Sequence, residues 1–121
     1  MAAVRLNDKW GFVDRNGKEV IPPKYDTPEG DEYFSYFFNE GMAAVYLNGR
    51  YGFIDKKGKE VVPVKYYSLE PFRHGFAAVT INGKWGFVNK MGKEVVPVKY
   101  ETVRDFKEGT AAVKLNNNGD L

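Results

Sequence analysis

The sequence contains no cysteine, a single histidine and only two serines. Without cysteine the chain can form no disulfide, no thiolate nucleophile and no cysteine-ligated zinc site. The lone histidine, His74, cannot supply a metal-binding pair, and it leaves one candidate base for any serine nucleophile. These absences argue against most hydrolytic and metal-dependent chemistries, so we expect no catalytic residue, no metal ligand and no cofactor.

The chain also has little net charge and no long apolar segment. Eighteen basic and sixteen acidic residues give a net charge of +2, which is too small to favour a nucleic-acid or anionic-membrane partner. No apolar run approaches the roughly 18 residues of a membrane-spanning helix, and residues 1–4 do not resemble a signal peptide. The compartment therefore stays open, and the length of 121 residues predicts one domain over residues 1–121.

What the sequence does contain is an internal repeat that fills the chain. Ala-Ala-Val occurs four times, at Ala2, Ala43, Ala77 and Ala111. The first three copies are each followed by the same three motifs: a Trp/Tyr-Gly-Phe block, a Gly-Lys-Glu-Val block ending in proline, and a Lys-Tyr pair. The spacing is 41 residues from Gly11 to Gly52 and 34 residues from Gly52 to Gly86. The unit is therefore about 34 residues long, and the first connector carries seven extra residues.

Each unit has the pattern of a β-meander. Apolar and variable positions alternate after Ala-Ala-Val, and Asn48-Gly49 is a strong signal for a type I′ hairpin turn. A second turn at 55–58 leads to a β-branched third strand at 60–62, which we expect to stop at Pro63. The pattern predicts an all-β fold of tandem antiparallel three-stranded meanders, about ten short strands in all, with little helix in the connectors.

The hairpin turns also predict a register. In the second unit the expected first-hairpin pairs are Leu47–Arg50, Tyr46–Tyr51, Val45–Gly52 and Ala44–Phe53. The expected second-hairpin pairs are Phe53–Val61 and Gly52–Val62. Both faces of such a sheet are largely apolar, so each unit must pack against its neighbours. A glycine inside the strand indicates close approach of backbone or of an aromatic ring.

Two arrangements of the units remain open on the sequence. Three strands per unit is one fewer than a usual propeller blade, so we favour an open stack. A closed barrel-like or propeller-like ring is the alternative.

The repeated motifs resemble the WG repeat, also called the KWG repeat, of bacterial proteins. The resemblance covers nearly the whole chain, and the departures are Tyr51 in place of Trp and Asn89 in place of Asp. It implies a bacterial repeat protein, usually longer than this chain, that acts as an interaction scaffold. It brings no catalytic residues to transfer to these positions.

The last Ala-Ala-Val block begins a fourth, partial repeat at 111–121, where a further Trp-Gly strand is due but Asn117–Leu121 follows. Either the array stops there or the chain is a piece of a longer array; we expect the second. Further repeats or domains of that longer chain are then among its contacts.

The insertion at 26–40 is the only stretch that the repeat does not dictate. Its aromatic residues are candidates for a binding lip: Tyr33, Phe34, Tyr36 and Phe37. The simpler interpretation, which we favour, is that these rings fold onto the end of the sheet. The acidic residues of the same loop lack the spaced ligand pattern of a calcium site, so no metal is predicted there.

A row of aromatic residues, one per unit, is the second candidate. The repeat places Trp10-Gly11, Tyr51-Gly52 and Trp85-Gly86 at equivalent structural positions. An exposed row would suit carbohydrate or a quaternary amine through stacking and cation–π contact. Packing between units is the interpretation we favour, and the exposure of Trp10 and Trp85 discriminates the two.

Two further residue types invite a catalytic interpretation, which we do not favour. Asp14 and Asp55 could suggest paired carboxylates, but Asn89 in the same slot indicates a turn that needs an Asx side chain. His74 has no spaced acid–base partner and is best interpreted as a connector residue.

We therefore expect a non-enzymatic module, either a structural scaffold or a protein–protein interaction surface. The alternative is a module that binds carbohydrate or the cell envelope through the aromatic row. The expected partner is another protein, with no nucleic acid and no membrane span.

Overall fold

The computed structural model describes residues 1–28, 38–104 and 111–114, and every regular element in them is a β-strand. The strands are β1 (Ala2–Leu6), β2 (Lys9–Val13), β3 (Glu19–Tyr25), β4 (Phe38–Asn39), β5 (Met42–Leu47), β6 (Arg50–Asp55), β7 (Glu60–Tyr66), β8 (Ser68–Leu69), β9 (Phe76–Ile81), β10 (Lys84–Asn89), β11 (Glu94–Tyr100), β12 (Thr102–Val103) and β13 (Val113–Lys114). All paired strands are antiparallel. The predicted all-β repeat fold is confirmed, with more strands than the ten or so expected.

Each unit is centred on a tight hairpin. In β5 and β6 all four predicted pairs are present: Leu47–Arg50, Tyr46–Tyr51, Val45–Gly52 and Ala44–Phe53. Asn48 and Gly49 adopt φ angles of 51° and 81°, as a type I′ turn requires. The hairpins β1–β2 and β9–β10 pair in the equivalent register. The local turn chemistry therefore sets this part of the fold.

The third strand differs from the prediction in both length and register. β7 continues through Pro63 to Tyr66 rather than stopping at the proline. The predicted pairs Phe53–Val61 and Gly52–Val62 are wrong, because Phe53 lies opposite Val62 and Tyr51 lies opposite Tyr66. Between these two pairs the chain advances by two residues on β6 and by four on β7, so β7 contains a bulge. A proline is tolerated at a bulge because its missing N–H is not needed for a hydrogen bond to the neighbouring strand. Val62, not Val61, therefore lies beside Phe53 in the core.

The glycine inside β6 makes this bulge possible. A Cβ atom added to Gly52 would lie 2.5 Å from the backbone oxygen of Val62, a distance that real Cβ atoms essentially never show. Gly11 meets the backbone oxygen of Ile21 at the same distance, and Gly86 is equally close to Val96. The strand glycine is thus required by the close approach of the third strand, as the sequence predicted.

The connectors contribute strands of their own. β8 pairs with β9 and β4 pairs with β5, so the second and third sheets have four strands, while the first sheet has the order β1-β2-β3. The residue after each Lys-Tyr pair also bonds to the next unit: its N–H donates to a carbonyl of the following first strand. The pairs are Asp26–Tyr46, Tyr67–Thr80 and Glu101–Lys114, at 2.7–2.9 Å.

The three units, residues 2–25 (unit 1), 38–66 (unit 2) and 68–100 (unit 3), stack through two apolar clusters. One joins units 1 and 2: Phe12, Ile21, Tyr25, Ala43, Val45 and Ile54. The other joins units 2 and 3: Met42, Phe53, Val62, Tyr66, Phe72, Ala77, Val79 and Val88. In the part of the chain that the structure describes, no sheet closes into a barrel, as the open stack predicts.

Candidate interaction surface

Each unit has two different faces, and unlike faces meet at every junction. The trailing face carries Phe12, Ile21 and Tyr25 in unit 1 and the equivalent residues in later units. The leading face carries an alanine, two aliphatic residues of the first strand and one of the second; in unit 1 these are Ala2, Val4, Leu6 and Val13. The trailing face of one unit packs on the leading face of the next. This head-to-tail arrangement can be continued by any further unit.

Within residues 1–28, 38–104 and 111–114, no unit packs on the leading face of unit 1. Val45 and Val79, at its central position in units 2 and 3, are both 0% exposed, whereas the equivalent Val4 is 37% exposed. Leu6 is 61% exposed. The exposed side chains are contiguous and apolar, which is the composition of a binding surface rather than of a solvated sheet.

The connector phenylalanines complete the junctions. The ring of Phe38 meets that of Phe12 edge to face at 5.9 Å between centroids, and Phe72 meets Phe53 in the same way at 4.6 Å. Each connector ring thus packs on the trailing face of the unit that precedes it.

Buried tyrosines add polar contacts between units. The Tyr66 hydroxyl donates to the Glu94 carboxylate at 3.1 Å, and burial followed by the Glu94 charge raises the pKa of Tyr66. At the other junction, burial and the Glu60 carboxylate raise the pKa of Tyr25 to about 12. Glu60 and Glu94 are held by backbone bonds, since each accepts from the N–H four residues later, that of Val64 or Val98.

Glu40 makes a second kind of polar contact between units 2 and 3. Its carboxylate accepts hydrogen bonds from the backbone N–H groups of His74 at 2.8 Å and Gly75 at 2.9 Å, and Lys90 lies 3.3 Å away. The Gly75 bond is the main cause that lowers the pKa of Glu40. His74, exposed at this turn, contributes its backbone to the contact, which agrees with its interpretation as a connector residue.

A polar groove lies where unit 1 meets the β5–β6 turn. Its volume is about 490 Å³, and its lining includes Arg5, Lys9 and Asp26. The hydrogen bond from Lys9 is the main cause that lowers the pKa of Asp26, which also accepts the Asn48 N–H at 3.1 Å. The cations of the groove are paired with acids, Arg5 with Asp8 and Lys9 with Asp26, so it offers no concentrated charge to a ligand.

The aromatic row is half-buried rather than displayed. Trp10, Tyr51 and Trp85 all have intermediate exposure. Trp10 packs against the cluster between units 1 and 2, and its indole N–H donates to the Thr27 hydroxyl at 2.8 Å. The Tyr51 ring lies 4.6 Å from that of Tyr46. Trp10 thus belongs to a junction, as the packing interpretation predicts.

The Asp14 and Asp55 carboxylates are turn elements. Asp14 accepts the N–H groups of Asn16 and Lys18 at 2.9 Å, and Asn89 accepts the equivalent pair in unit 3. Because an amide performs the same task, the predicted Asx role is confirmed.

The candidate binding lip, Tyr33, Phe34, Tyr36 and Phe37, lies outside the described residues and stays a prediction. Within residues 1–28, 38–104 and 111–114, no three His, Cys, Asp or Glu side chains converge as metal ligands. The same residues contain no helix long and apolar enough to cross a membrane.

Sequence reasoning did not single out the leading face of unit 1. Val4 and Leu6 read as ordinary strand residues, because their copies are core residues in the other units.

Comparison with known families agrees with this architecture. The family model for the WG containing repeat matches three consecutive segments, residues 10–51, 51–85 and 85–118. Its boundaries fall at the aromatic residue that begins each Trp/Tyr-Gly block, so one match spans one repeat period. No curated protein and no solved structure matches the chain. Since the matches cover most of its length, the chain belongs to the WG repeat family.

Proposed function

We propose that this chain is a non-enzymatic scaffold whose uncovered leading face binds another protein. The observation that carries the proposal is the difference in exposure at one repeat position, 37% at Val4 against 0% at Val45 and Val79. Because this apolar face is covered by a neighbouring unit in units 2 and 3, the same face of unit 1 is suited to be covered by a partner.

The surroundings of the face support a protein partner. Its exposed side chains Val4 and Leu6 are aliphatic, as the buried centre of a protein interface usually is. β1 is also the edge strand of its sheet, so its backbone can accept a further strand.

The positions of the perturbed ionisable groups support a non-enzymatic role. Among the described residues, four groups have clearly shifted pKa values: Tyr25, Asp26, Glu40 and Tyr66. Each of them contacts a residue of a neighbouring unit, and no two of them share a cleft. In active sites, shifted pKa values adjust groups that transfer protons. In this chain the shifted groups are those that contact a neighbouring repeat unit.

The test is capture of proteins from a bacterial lysate on the immobilised chain, with chemical cross-linking. Val4→Lys should remove most of the captured protein, because docking would bury the ammonium group. Met91→Lys is the matched control, since Met91 is 85% exposed on a turn away from this face. Equal capture by both variants would contradict the proposal. Glycan binding that is lost on Trp85→Ala would favour the carbohydrate alternative instead.

A further inference from the structure

The first and last Ala-Ala-Val strands are near replicas. Residues 2–7 read Ala-Ala-Val-Arg-Leu-Asn and residues 111–116 read Ala-Ala-Val-Lys-Leu-Asn, so one basic residue replaces another at the single difference. The equivalent strands of units 2 and 3 carry Tyr46 and Thr80 at that position. The segment that follows unit 3 is therefore the segment of the chain most similar to β1.

That last strand is poorly covered where it lies. β13 pairs with β12, with Val103 opposite Val113, and in the described residues it has no second partner. Val113 is 42% exposed, whereas the equivalent Val45 and Val79 are 0% exposed. One period after Lys84-Trp85-Gly86 the sequence reads Asn118, Gly119 and Asp120 in place of the Trp-Gly motif.

Unit 1 has the opposite deficiency. β1 has its hairpin partner β2, but among the described residues no connector strand lies on its outer edge, where β5 has β4 and β9 has β8. Unit 3 is followed by a connector strand, β12, which in the described residues pairs with the short β13 alone. Each end of the described stack thus has what the other lacks.

We propose that unit 1 of a second copy docks behind unit 3, with its β1 beside β12 in the place of β13. The proposal rests on the proposed function, in which the leading face of unit 1 binds a protein, and it names that protein as another copy of this chain. Val4 of the second copy then takes the buried position of Val45 and Val79. Because unlike faces meet, association is head-to-tail and open-ended rather than a closed dimer.

The trailing face of unit 3 is covered at Phe87, which is 2% exposed, but is partly open at Val96 and Tyr100. Tyr25 and Tyr66 are 1% and 2% exposed beneath the following unit, whereas Tyr100 is only half-buried. Docking places Glu19 of the second copy near Tyr100, as Glu60 and Glu94 lie near Tyr25 and Tyr66. The turn glycines Gly58 and Gly92 lie against Val20 and Val61, so the equivalent turn of a docked copy, at Gly17, lies against Val95.

Sedimentation velocity over a concentration series tests the association. The wild-type chain and the Met91→Lys control should grow beyond dimers as concentration rises to about 1 mM, a range that detects weak interfaces. Val4→Lys blocks the leading end, and Val95→Lys places a cation against the Arg15–Lys18 turn of the incoming copy. Each variant alone should be monomeric, and an equimolar mixture should form a 1:1 complex that grows no further.

Strand placement is tested with cysteine pairs, which are unambiguous because the chain has no native cysteine. Thr102 lies opposite Lys114 in β12–β13, so it should lie opposite Arg5 of a docked copy. Mixing Arg5→Cys with Thr102→Cys under mild oxidation should give a heterodimeric disulfide, since directly opposed cross-strand positions are close enough to bridge. Met91→Cys mixed with Thr102→Cys is the control and should give several-fold less.

Three results would overturn the inference. One is a wild-type chain that stays monomeric throughout the series, and another is a cysteine pair that reacts no faster than its control. The third is dimerisation of Val95→Lys alone, which would mean that two leading faces meet each other. If capture of other proteins still depends on Val4 while the chain is monomeric, the second copy is the wrong partner and the proposed function stands.

Discussion

Units 1 and 2 share one sequence pattern but have different environments. Unit 2 is covered on both faces, with Val45 0% and Phe53 1% exposed, whereas unit 1 is covered only on its trailing face, with Phe12 0% exposed. The same valine is therefore a core residue in one unit and a surface residue in the other. In a repeat stack, burial is a property of position in the stack as much as of the residue.

The two units also differ in their junction glutamates. Glu60 accepts the N–H of Val64, but the equivalent residue in unit 1 is Pro23, which has no N–H to offer Glu19. Glu60 faces Tyr25 of the preceding unit, and the described structure contains no such tyrosine ahead of Glu19. Unit 1 thus has the same apolar leading face as unit 2 but lacks the hydrogen bond from a backbone N–H that orients Glu60.

The trailing faces should be equally costly to disrupt. Phe12→Ala and Phe53→Ala should each lower the free energy of unfolding by about 3–5 kcal/mol, because each removes a fully buried ring from a junction. Urea denaturation followed by tryptophan fluorescence measures this. Tyr67→Ala, at a position 66% exposed, should cost less than about 0.5 kcal/mol and serves as the control. A much smaller cost for Phe12 than for Phe53 would mean that the first junction is not formed.

The leading faces should differ. Val45→Ala should lower the free energy of unfolding by about 2 kcal/mol, since it leaves a cavity between units. Val4→Ala should cost less than about 0.5 kcal/mol at concentrations where the chain is monomeric, because its side chain already contacts water. Equal costs at the two positions would show that the first leading face is covered in solution.

The junction tyrosines should make the stack sensitive to alkali. The fold raises the pKa of Tyr25 from its usual value near 10 to about 12, and that of Tyr66 is raised as well. The folded state thus favours the protonated phenol, so its contribution is complete below about pH 10 and is lost as the pH rises towards 12.

The free energy of unfolding, measured by urea titration at pH 8, 10 and 11, should fall more steeply in the wild type than in Tyr25→Phe/Tyr66→Phe. Tyr67→Phe, which alters an exposed phenol, should keep the wild-type slope. An unchanged slope in the double variant would assign the alkaline loss to other groups.

The smallest expected effect concerns the glutamates. Glu60→Ala should cost about 1 kcal/mol through the loss of its hydrogen bond, whereas Glu19→Ala should cost less than about 0.5 kcal/mol. In a Pro23→Val background, the cost of Glu19→Ala should rise towards that of Glu60→Ala, because a donor is restored; a double-mutant cycle measures the difference. No rise would mean that the N–H bond does not orient this residue.

The part of the fold that was predictable is the part governed by neighbours in sequence. The β5–β6 register follows from the Asn48-Gly49 turn, and the Asx turns follow from Asp14 and Asp55, because two to four residues satisfy their own bonds. The third strand was not predictable in this way. Proline is usually excluded from a strand, and only the bulge opposite Gly52 lets β7 continue through Pro63.

The candidate site was less predictable than the fold. The aromatic residues invited attention, yet Trp10 packs into a junction with its N–H bonded to Thr27. The exposed apolar face was overlooked, because Val4 and Val45 occupy the same position of the same motif and differ in their packing. Exposure depends on long-range packing, which a repeat position does not encode.

The sequence by itself determined a hairpin repeat that contains few of the residue types used in catalysis, with no cysteine, one histidine and two serines. Turn residues acting over a few positions set the strands and the first register, and alternation marked both faces as apolar. Only the tertiary structure decided which valine lies in the core, how the third strand passes over Gly52, and which face remains open. The path of the third strand depends on the absence of a Cβ atom at Gly52. The burial of each valine and the open face depend on contacts between units about 34 residues apart, which outweigh the preferences of the local sequence.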